Sequence, residues 1–253
     1  MDIKTSVQEQ FGKAAANYST SVVHAQGKDL QTMVRIAALP NTAHVLDAGC
    51  GAGHTALAFA PHVAHVTALD LTAAMLDQVQ ALAAARSLSN IETRLGDVEQ
   101  LPFEAHTFDC ITSRYSAHHW PDPRKALREF RRALKPGGRF ILSDCVAPED
   151  PFQDTFLQTI EFLRDGSHVR DHSIRQWQSM LTETGFESQV VETWDVVLDF
   201  NDWVVRISTP EAKVAMLKTL FTEVPESVKQ AMHIQPDYAF ALKGGLLVAS
   251  LQQ

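Results

Sequence analysis

The sequence predicts an α/β fold, in which a doubly wound, mostly parallel β-sheet carries helices on both faces. Short apolar runs with strand character alternate with stretches of helical period between residues 41 and 147. A glycine-rich loop follows the first of these strands, and ligands of such sheets bind at the carboxyl ends of the strands. Of the 253 residues, 45% are hydrophobic, which is enough apolar material for a full core.

The order of the elements supports this fold class. Two N-terminal helices are predicted, the second capped by Ser19, Thr20 and Ser21 and ending near Ala38. The core has predicted strands at 44–47, 63–71, 91–95, 108–113 and 139–143, with helices beginning at 55 and spanning 72–88 and 123–134. Later elements are helices at 150–165, 173–184 and 210–224, a strand at 187–199 and a hairpin within 240–251.

No linker divides the chain, so we predict a single domain over residues 1–253. Within it, residues 1–40 form a helical cap and residues 41–147 form the core that binds the cofactor. Residues 148–253 supply a helical lid after the fifth strand and the C-terminal strands.

Charge and composition disfavour some classes of function without excluding them. The net charge of −8 disfavours nucleic acid or an anionic membrane as the partner, because both attract basic surfaces. The three cysteines have no metal-ligand spacing and are expected to be buried free thiols. Neither a signal peptide nor a run of about 20 apolar residues is present, so we expect a soluble cytoplasmic protein.

The strongest motif is the loop VLDAGCGAG at Val45–Gly53. Its third glycine comes one residue earlier than in the dinucleotide-binding pattern, where His54 stands instead. Asp47 lies in the strand before the loop, where a carboxylate favours a cationic ligand over a pyrophosphate. S-adenosylmethionine carries both an ammonium and a sulfonium group, so it fits this arrangement.

Two further carboxylates follow the next two strands. Asp70 ends the second strand, with a spacing that suits contact with ribose hydroxyls. Asp97 follows the third strand and can accept a hydrogen bond from an adenine amino group, although alone it reads as an ordinary surface or capping residue. Three acids at three successive strand ends, together with the glycine loop, favour a cofactor site.

Five segments within Val45–Asp144 resemble the UbiE-type class I methyltransferase family. They are VLDAGCGAG, ALDL with Met75 and Leu76 following, LGDVEQLPF, FDCITSRYSAHHW and ALREFRRALKPGGRFILSD. Over nearly the whole chain, the sequence is also similar to the bacterial YafE group of methyltransferases.

This resemblance implies a seven-stranded, Rossmann-like methyltransferase fold with one antiparallel strand. It implies that Asp70 binds the ribose, that Leu71 packs on the adenine and that Asp97 and Val98 bind the adenine edge. The other residues that we predict to bind the cofactor are Asp47, Met75, Ser113 and the three glycines expected along its methionine part, Gly49, Gly51 and Gly53.

The segment after the fourth strand contains the candidate catalytic residues. In the resembling family it lies beside the transferred methyl group. His118 or His119 can act as a base or orient the acceptor, or the pair can simply hold the shape of the loop. Arg114 can contact an anionic acceptor or pair with a structural acid, and Tyr115 is a further candidate substrate residue.

The N-terminal helices and the segment 148–173 are the predicted lids. Their aromatic and polar residues are expected to wall a partly apolar acceptor pocket, or else to anchor the helices to the core. His168, Arg170 and His172, together with His118 and His119, raise the idea of a metal site. Because a loop rich in histidine is usually polar surface, we expect no metal. The remaining candidate lid residues are Phe11, Tyr18, Phe152, Phe156 and Phe162.

The predicted function is transfer of a methyl group from S-adenosylmethionine to a small-molecule acceptor by in-line displacement. Such a reaction needs alignment and exclusion of water more than an elaborate catalytic constellation. A nicotinamide-dependent oxidoreductase and a non-catalytic protein that binds S-adenosylmethionine are the alternatives. The displaced glycine and Asp47 argue against the first, and the presence of all three acids argues against the second.

Overall fold

Seven strands form one mixed sheet in the computed structural model of the chain, which describes residues 2–19 and 27–252 without the side chains of residues 14 and 16–19. The strands are β1 (His44–Ala48), β2 (His65–Asp70), β3 (Ile91–Leu95), β4 (Phe108–Arg114), β5 (Leu134–Cys145), β6 (Phe186–Leu198) and β7 (Phe240–Leu251). Their order is β3-β2-β1-β4-β5-β7-β6. Strands β1 to β5 are parallel and β7 is antiparallel to both of its neighbours, so the predicted fold class is confirmed.

Helices connect the strands and extend the C-terminal part. Those of the N-terminal half are α1 (Ile3–Ser19), α2 (Lys28–Ala37), α3 (His54–Phe59), α4 (Ala73–Ala85) and α5 (Pro123–Ala133). Those of the C-terminal half are α6 (Pro151–Arg164), α7 (Ile174–Glu183), α8 (Phe200–Arg206), α9 (Glu211–Glu223) and α10 (Glu226–Ala231). None of these described helices is long and apolar enough to cross a membrane.

The alternation of side chains along the strands builds a core layer on each face of the sheet. Leu46 of β1 points into a layer that contains Leu127 and Phe130 of α5 and Trp177 of α7. Its neighbour Val45 points to the opposite face, where the layer includes Met33 of α2, Phe59 of α3 and Val79 of α4. Because β1 to β5 are parallel, the loops that follow β1 to β4 lie at one edge of the sheet.

A third apolar cluster lies over the end of the sheet formed by β6 and β7. Helices α6, α8, α9 and α10 build it with Leu198, Phe240 and Leu242 of the two strands. Phe156 belongs to this cluster, whereas Phe152 and Phe162 are each 56% exposed. None of these three aromatics lines the two cavities described below: Phe156 anchors a helix, and Phe152 and Phe162 are largely exposed.

The predicted C-terminal hairpin is wrong, because Phe240–Leu251 is one continuous strand. The two glycines at its centre allow close packing instead of a turn. A Cβ atom at Gly244 would lie 2.4 Å from the Trp194 side chain, and one at Gly245 would lie 2.8 Å from Val146. Strand β5 also begins five residues earlier than predicted, and α8 and α10 were not predicted. The predicted cap at Ser19, Thr20 and Ser21 lies outside the described residues.

Candidate active site

An open cleft of about 940 Å³ lies at the carboxyl ends of β1 to β4 and is called the cofactor cleft below. The glycine loop, the ends of β2 and β3 and helix α1 form its walls. Of the predicted residues, those along it are Gly49, Gly51, Asp70, Leu71, Met75, Asp97 and Val98, together with Phe11, Arg114, Tyr115 and His119.

The three glycines of the loop have different roles, although all have positive φ angles. A Cβ atom at Gly49 would lie 2.0 Å from Ser116 Oγ, and one at Gly53 would lie 2.8 Å from Val79. A Cβ atom at Gly51 would meet nothing within 4 Å, because this residue faces the open cleft. Gly51 therefore leaves room for a ligand against the backbone, whereas Gly53 allows α3 to begin close against α4.

Asp47 lies behind the cleft wall. Its carboxylate accepts a hydrogen bond from Ala56 N at 2.9 Å and so fixes the first turn of α3 below the loop. Burial raises the pKa of Asp47 to about 7, although the hydrogen bond opposes this shift. Ser113 is also buried behind the wall, where its hydroxyl donates to Ala48 O at 2.9 Å. The structure thus gives both residues, like Gly53, a part in shaping the loop.

Asp70 faces the cleft at the end of β2. One carboxylate oxygen accepts from Gly51 N and the other from Thr72 N, each at 2.9 Å. These bonds hold the carboxylate beside the loop with its free lone pairs available to a ligand. Burial raises the pKa of Asp70 above its ordinary value, and the two backbone donors oppose that shift.

Helix α1 closes the other side of the cleft. Lys4 Nζ donates to Asp97 at 2.6 Å and to Glu99 at 2.7 Å. Gln8 bonds Leu71 O at 3.0 Å, and the Phe11 ring contacts the His119 ring edge-on at 4.9 Å. The helix therefore spans the cleft from Asp97 to His119. Tyr18 belongs to the same helix, but its side chain lies outside the described residues.

A second cavity of about 640 Å³ adjoins the cleft and is called the acceptor chamber below. Phe11, Tyr115 and His119 line both cavities and form the junction between them. The chamber is otherwise lined by residues of α6, α8, β6, β7, the end of β5 and the loops after β4 and α6: His118, Cys145, Glu161, Arg164, Asp171, Val196, Leu198, Trp203, Arg206 and Leu242.

Tyr115 is held at the junction in an unusual backbone conformation. Its φ angle is 49°, in the left-handed region, and its N–H donates to Ser143 O at 2.9 Å. Positive φ in an aromatic residue costs free energy and often marks a functional position. Burial raises the pKa of the Tyr115 hydroxyl, so this side chain is a neutral phenol.

Arg114 pairs with a structural acid, as one of the two sequence hypotheses proposed. Its guanidinium donates to both carboxylate oxygens of Asp29 in α2, at 2.6 and 2.9 Å. Ser143 Oγ donates to the same carboxylate at 2.8 Å. Both side chains of the ion pair are almost fully buried, so the pair joins α2 to the end of β4.

The two adjacent histidines are fixed by different partners. His118 Nδ1 donates to Asp144 Oδ1 at 2.7 Å, and His119 Nδ1 donates to Ser167 O at 3.0 Å. In each ring the Nε2 atom therefore carries the lone pair when the ring is neutral. Burial and the neighbouring His118 lower the pKa of His119 to about 4, so His119 is neutral at physiological pH.

Two predicted lid residues lie outside both cavities. His168 is buried and bonds Gln158 Oε1 through Nε2 at 3.0 Å, and Arg170 pairs with Asp154 at the surface. Gln158 also donates to the backbone oxygen of Asp171, so this network fixes the loop between α6 and α7. Val169 N and Arg170 N then donate to His118 O at 2.9 and 3.0 Å, which ties the loop to the candidate catalytic residues.

A cluster in the described residues has the composition of a metal site. His118, Asp144 and Asp171 offer ligand atoms that all lie within 4.8 Å of one another. The two oxygens of Asp144, however, already accept from His118 Nδ1, Cys145 N and Ala117 N. This geometry is that of a hydrogen-bonded His–Asp dyad.

Several residues at the site carry no signal in the sequence. Lys4 is a single lysine near the N-terminus, and Asp29 is one acid in a predicted helix. Arg164, Trp203 and Arg206 come from helices that no motif marks. Only the packing of α6 and α8 over the sheet brings these three side chains to the chamber wall.

The comparisons with known proteins agree with the fold and the loop. The sequence model of a family described as a methyltransferase domain matches residues 46–142. The chain is 38% identical to the uncharacterized methyltransferase YcgJ of Bacillus subtilis (strain 168), over 88% of each chain. It is 42% identical to the uncharacterized protein YafE of Escherichia coli (strain K12), over 76% of this chain and 93% of the relative. The crystal structure of YcgJ superposes with a TM-score of 0.85 at 35% identity and covers 88% of this chain and 98% of its own.

The sheet has seven strands, one of them antiparallel, and a glycine loop lies beside an acid-lined cleft at its switch point. This combination defines a class I methyltransferase. The chain belongs to this family of S-adenosylmethionine-dependent methyltransferases, with YcgJ and YafE among its relatives. It is therefore an enzyme that transfers a methyl group from S-adenosylmethionine, and the resemblance predicted from the sequence is confirmed.

Proposed function

We propose that this enzyme methylates a small molecule that binds in the acceptor chamber. One observation carries the proposal: the cofactor cleft and the chamber meet at a junction formed by Phe11, Tyr115 and His119. A donor in the cleft and an acceptor in the chamber would face each other across these residues. Such an arrangement aligns the two reactants, which is the main requirement of methyl transfer.

The residues of the cleft fit S-adenosylmethionine. The open space at Gly51 accommodates the methionine part, and the free lone pairs of Asp70 suit the ribose hydroxyls. Leu71 and Met75 offer apolar surface to the adenine, and Asp97 with Val98 lies beside its polar edge. When bound there, S-adenosylmethionine supplies a methyl carbon activated by a positively charged sulfur.

The shape and charge of the chamber favour a small acceptor over a macromolecule. The chamber is concave, with residues of α6 and α8 in its wall, which is the form of small-ligand sites. The net charge of −8 gives the protein no overall electrostatic attraction for a polyanion such as nucleic acid. Aromatic and aliphatic side chains wall the chamber beside charged ones, which suits a compound with an apolar body and a polar group.

We also propose that helix α1 and the loop between α6 and α7 act as lids. Helix α1 covers the cleft through Lys4, Gln8 and Phe11, and the loop between α6 and α7 is bonded to His118 and His119. Both segments would exclude water from the junction during transfer. Opening of α1 would admit S-adenosylmethionine and release its product.

Two substitutions on one strand test the location of the acceptor. Val196 of β6 lines the chamber, whereas the adjacent Val197 is 73% exposed on the other face. Val196→Phe should fill the chamber and lower kcat/KM for the acceptor by more than about tenfold, or about 1.4 kcal/mol. Affinity for S-adenosylhomocysteine should stay unchanged, and Val197→Phe should alter neither quantity.

The assay measures release of S-adenosylhomocysteine over a library of small phenols, enols, amines and thiols. Calorimetry with S-adenosylhomocysteine checks the cofactor cleft of each variant separately. If a protein that binds the cofactor methylates no compound of the library, or if Val196→Phe and Val197→Phe behave alike, the proposed acceptor site is wrong.

A further inference from the structure

Asp144 holds His118 in one orientation at the wall of the acceptor chamber. His118 Nδ1 donates to Asp144 Oδ1 at 2.7 Å. The backbone N–H groups of Ala117 and Cys145 donate to the same carboxylate, each at 2.8 Å. Because three donors converge on Asp144, its carboxylate is held in place.

The other edge of the His118 ring is available to a ligand. Its side chain is 19% exposed and lines the chamber, while Nδ1 is engaged with Asp144. The ring packs against the His119 ring at a centroid distance of 4.3 Å, and the His118 carbonyl accepts two backbone hydrogen bonds from the loop after α6. His118 is thus a rigidly held imidazole on the chamber wall, and its Nε2 atom makes no hydrogen bond within the described residues.

A second polar group on the chamber wall lacks a partner among the described residues. Asp171 lines the chamber, is only 2% exposed and has a buried oxygen, Oδ2, that accepts no hydrogen bond. Leaving a buried carboxyl oxygen without a hydrogen-bond partner costs free energy. Burial raises the pKa of Asp171 well above its ordinary value, so its carboxyl group can accept from or donate to a ligand hydroxyl group in the chamber.

We infer that His118 is the general base of the methyl transfer, that Asp144 is its positioning residue, and that the methylated atom is the oxygen of an acidic hydroxyl group, as in a phenol or an enol. This inference rests on the proposed function, because it requires the acceptor to occupy the chamber. The rings of Phe11, Tyr115 and Trp203 along the chamber suit the flat, apolar body of such a compound.

The proton and electron pairs balance in a single step. The Nε2 lone pair of His118 takes the proton from the acceptor hydroxyl, and the oxygen forms a bond to the methyl carbon. The carbon–sulfur bond breaks and its electron pair stays on sulfur. The products are the methyl ether, S-adenosylhomocysteine and His118 in its protonated form, which later returns its proton to solvent.

The charges around His118 suit a base for such an acceptor. Burial lowers the pKa of His118, but the charge and the hydrogen bond of Asp144, together with Asp171 and Glu161, outweigh it and raise this pKa to about 9. A base of this strength is close to a phenol, whose pKa is about 10, and general-base transfer is efficient when the two values are similar. The other titratable or charged groups that act on His118 or line the chamber with it are Glu161, Asp171, His119, His168, Tyr115, Cys145, Arg164 and Arg206.

The first test examines the dyad in the full-length protein without an acceptor. Histidine-labelled protein is titrated by nitrogen-15 NMR, with His118→Gln used to assign the His118 signals. We expect His118 to titrate near pH 9 with Nδ1 protonated in its neutral form, and Asp144→Asn to lower that pKa. If His118 instead titrates near its ordinary pKa of about 6.5, and Asp144→Asn leaves that pKa unchanged, the dyad is wrong. Broadening of the His118 signals by a stoichiometric amount of Mn²⁺ would instead make the cluster a metal site and would also overturn it.

The second test uses methyl transfer to ring-substituted phenols of graded acidity. The base must be unprotonated, so the rate with a weakly acidic phenol should rise about tenfold per pH unit and level off near pH 9. In Asp144→Asn the rise should level off at a lower pH. His118→Gln should lose the most activity with the weakest acids, while His62→Gln, at an exposed histidine, should behave as wild type.

The outcomes separate the inference from the proposed function. If only amines or thioethers without a removable proton are methylated, or if His118→Gln lowers the rate equally for every phenol, the inference fails and the proposed function stands. If His118 titrates as expected but no small molecule releases S-adenosylhomocysteine, the proposed function fails, and the inferred acceptor fails with it.

Discussion

At the scale of single residues, Asp70 joins the sequence motif to the chemistry of the cleft. Its carboxylate bonds Gly51 N and Thr72 N, so the loop and the following helix position it before any ligand arrives. If Asp70 binds the ribose as we propose, such preorganisation lowers the cost of binding, because the acceptor atoms do not need to be ordered when the ribose enters.

Asp70→Ala should therefore weaken cofactor binding more than it weakens folding. Charge-assisted hydrogen bonds to two hydroxyls contribute about 2 to 3 kcal/mol, which predicts a roughly 30- to 150-fold rise in the Kd of S-adenosylhomocysteine. Calorimetry and thermal melting of the same samples measure both quantities. Asp77→Ala is the matched control, since Asp77 is an exposed acid on α4. An unchanged Kd in a folded Asp70→Ala protein would remove this residue from the site.

The sequence locates the cleft but does not distinguish residues that line it from residues that shape it. Gly51 and Gly53 look equivalent in the motif, yet only Gly51 faces open space, and Gly53 packs against Val79. Asp47 points toward Ala56 N behind the loop, and not toward the cleft. These differences depend on side-chain direction and on contacts between elements, which a motif does not encode.

At the scale of elements, the parallel core could be predicted and the C-terminal part only partly. Strands such as β1 and β4 are buried on both faces and read as apolar runs beside glycine or turn signals. Strand β7 was predicted as a hairpin because Gly244 and Gly245 resemble a turn, whereas they admit the side chains of Trp194 and Val146. The short helix α8 gave no periodic signal, since seven residues make only two turns.

Helix α1 is the element whose mobility we expect to matter most. Its contacts with the cleft come from polar side chains, Lys4 and Gln8, and from the Phe11 ring. Binding of S-adenosylhomocysteine should protect α1 and the loop after α6 from hydrogen exchange together, because both lie against the junction. Helix α5, which packs in the core and contributes no residue to the lining of the cleft, serves as the internal reference.

Hydrogen exchange with and without S-adenosylhomocysteine measures this response. The lid proposal would be contradicted if α1 and the loop after α6 exchange identically in both states while the glycine loop becomes protected. The assignment of the cofactor cleft would survive that result.

At the scale of the whole molecule, the two cavities come from different parts of the chain. The loops after β1 to β4 build most of the cofactor cleft, and α6, α8, β6 and β7 build much of the chamber. A core of this kind can keep one cofactor while the C-terminal part sets the acceptor. This division explains why the sequence predicts the identity of the cofactor but not that of the acceptor. A motif marks the cofactor cleft, whereas packing between distant segments forms the proposed acceptor chamber.

The central claim is that the donor in the cleft and the acceptor in the chamber meet at Phe11, Tyr115 and His119. A crystal structure of the complex with S-adenosylhomocysteine tests it most directly. We predict that the ribose contacts Asp70 and that the sulfur atom faces the junction, with the chamber open behind it. Density that places the sulfur away from Tyr115 and His119, with the junction closed by protein, would contradict the account.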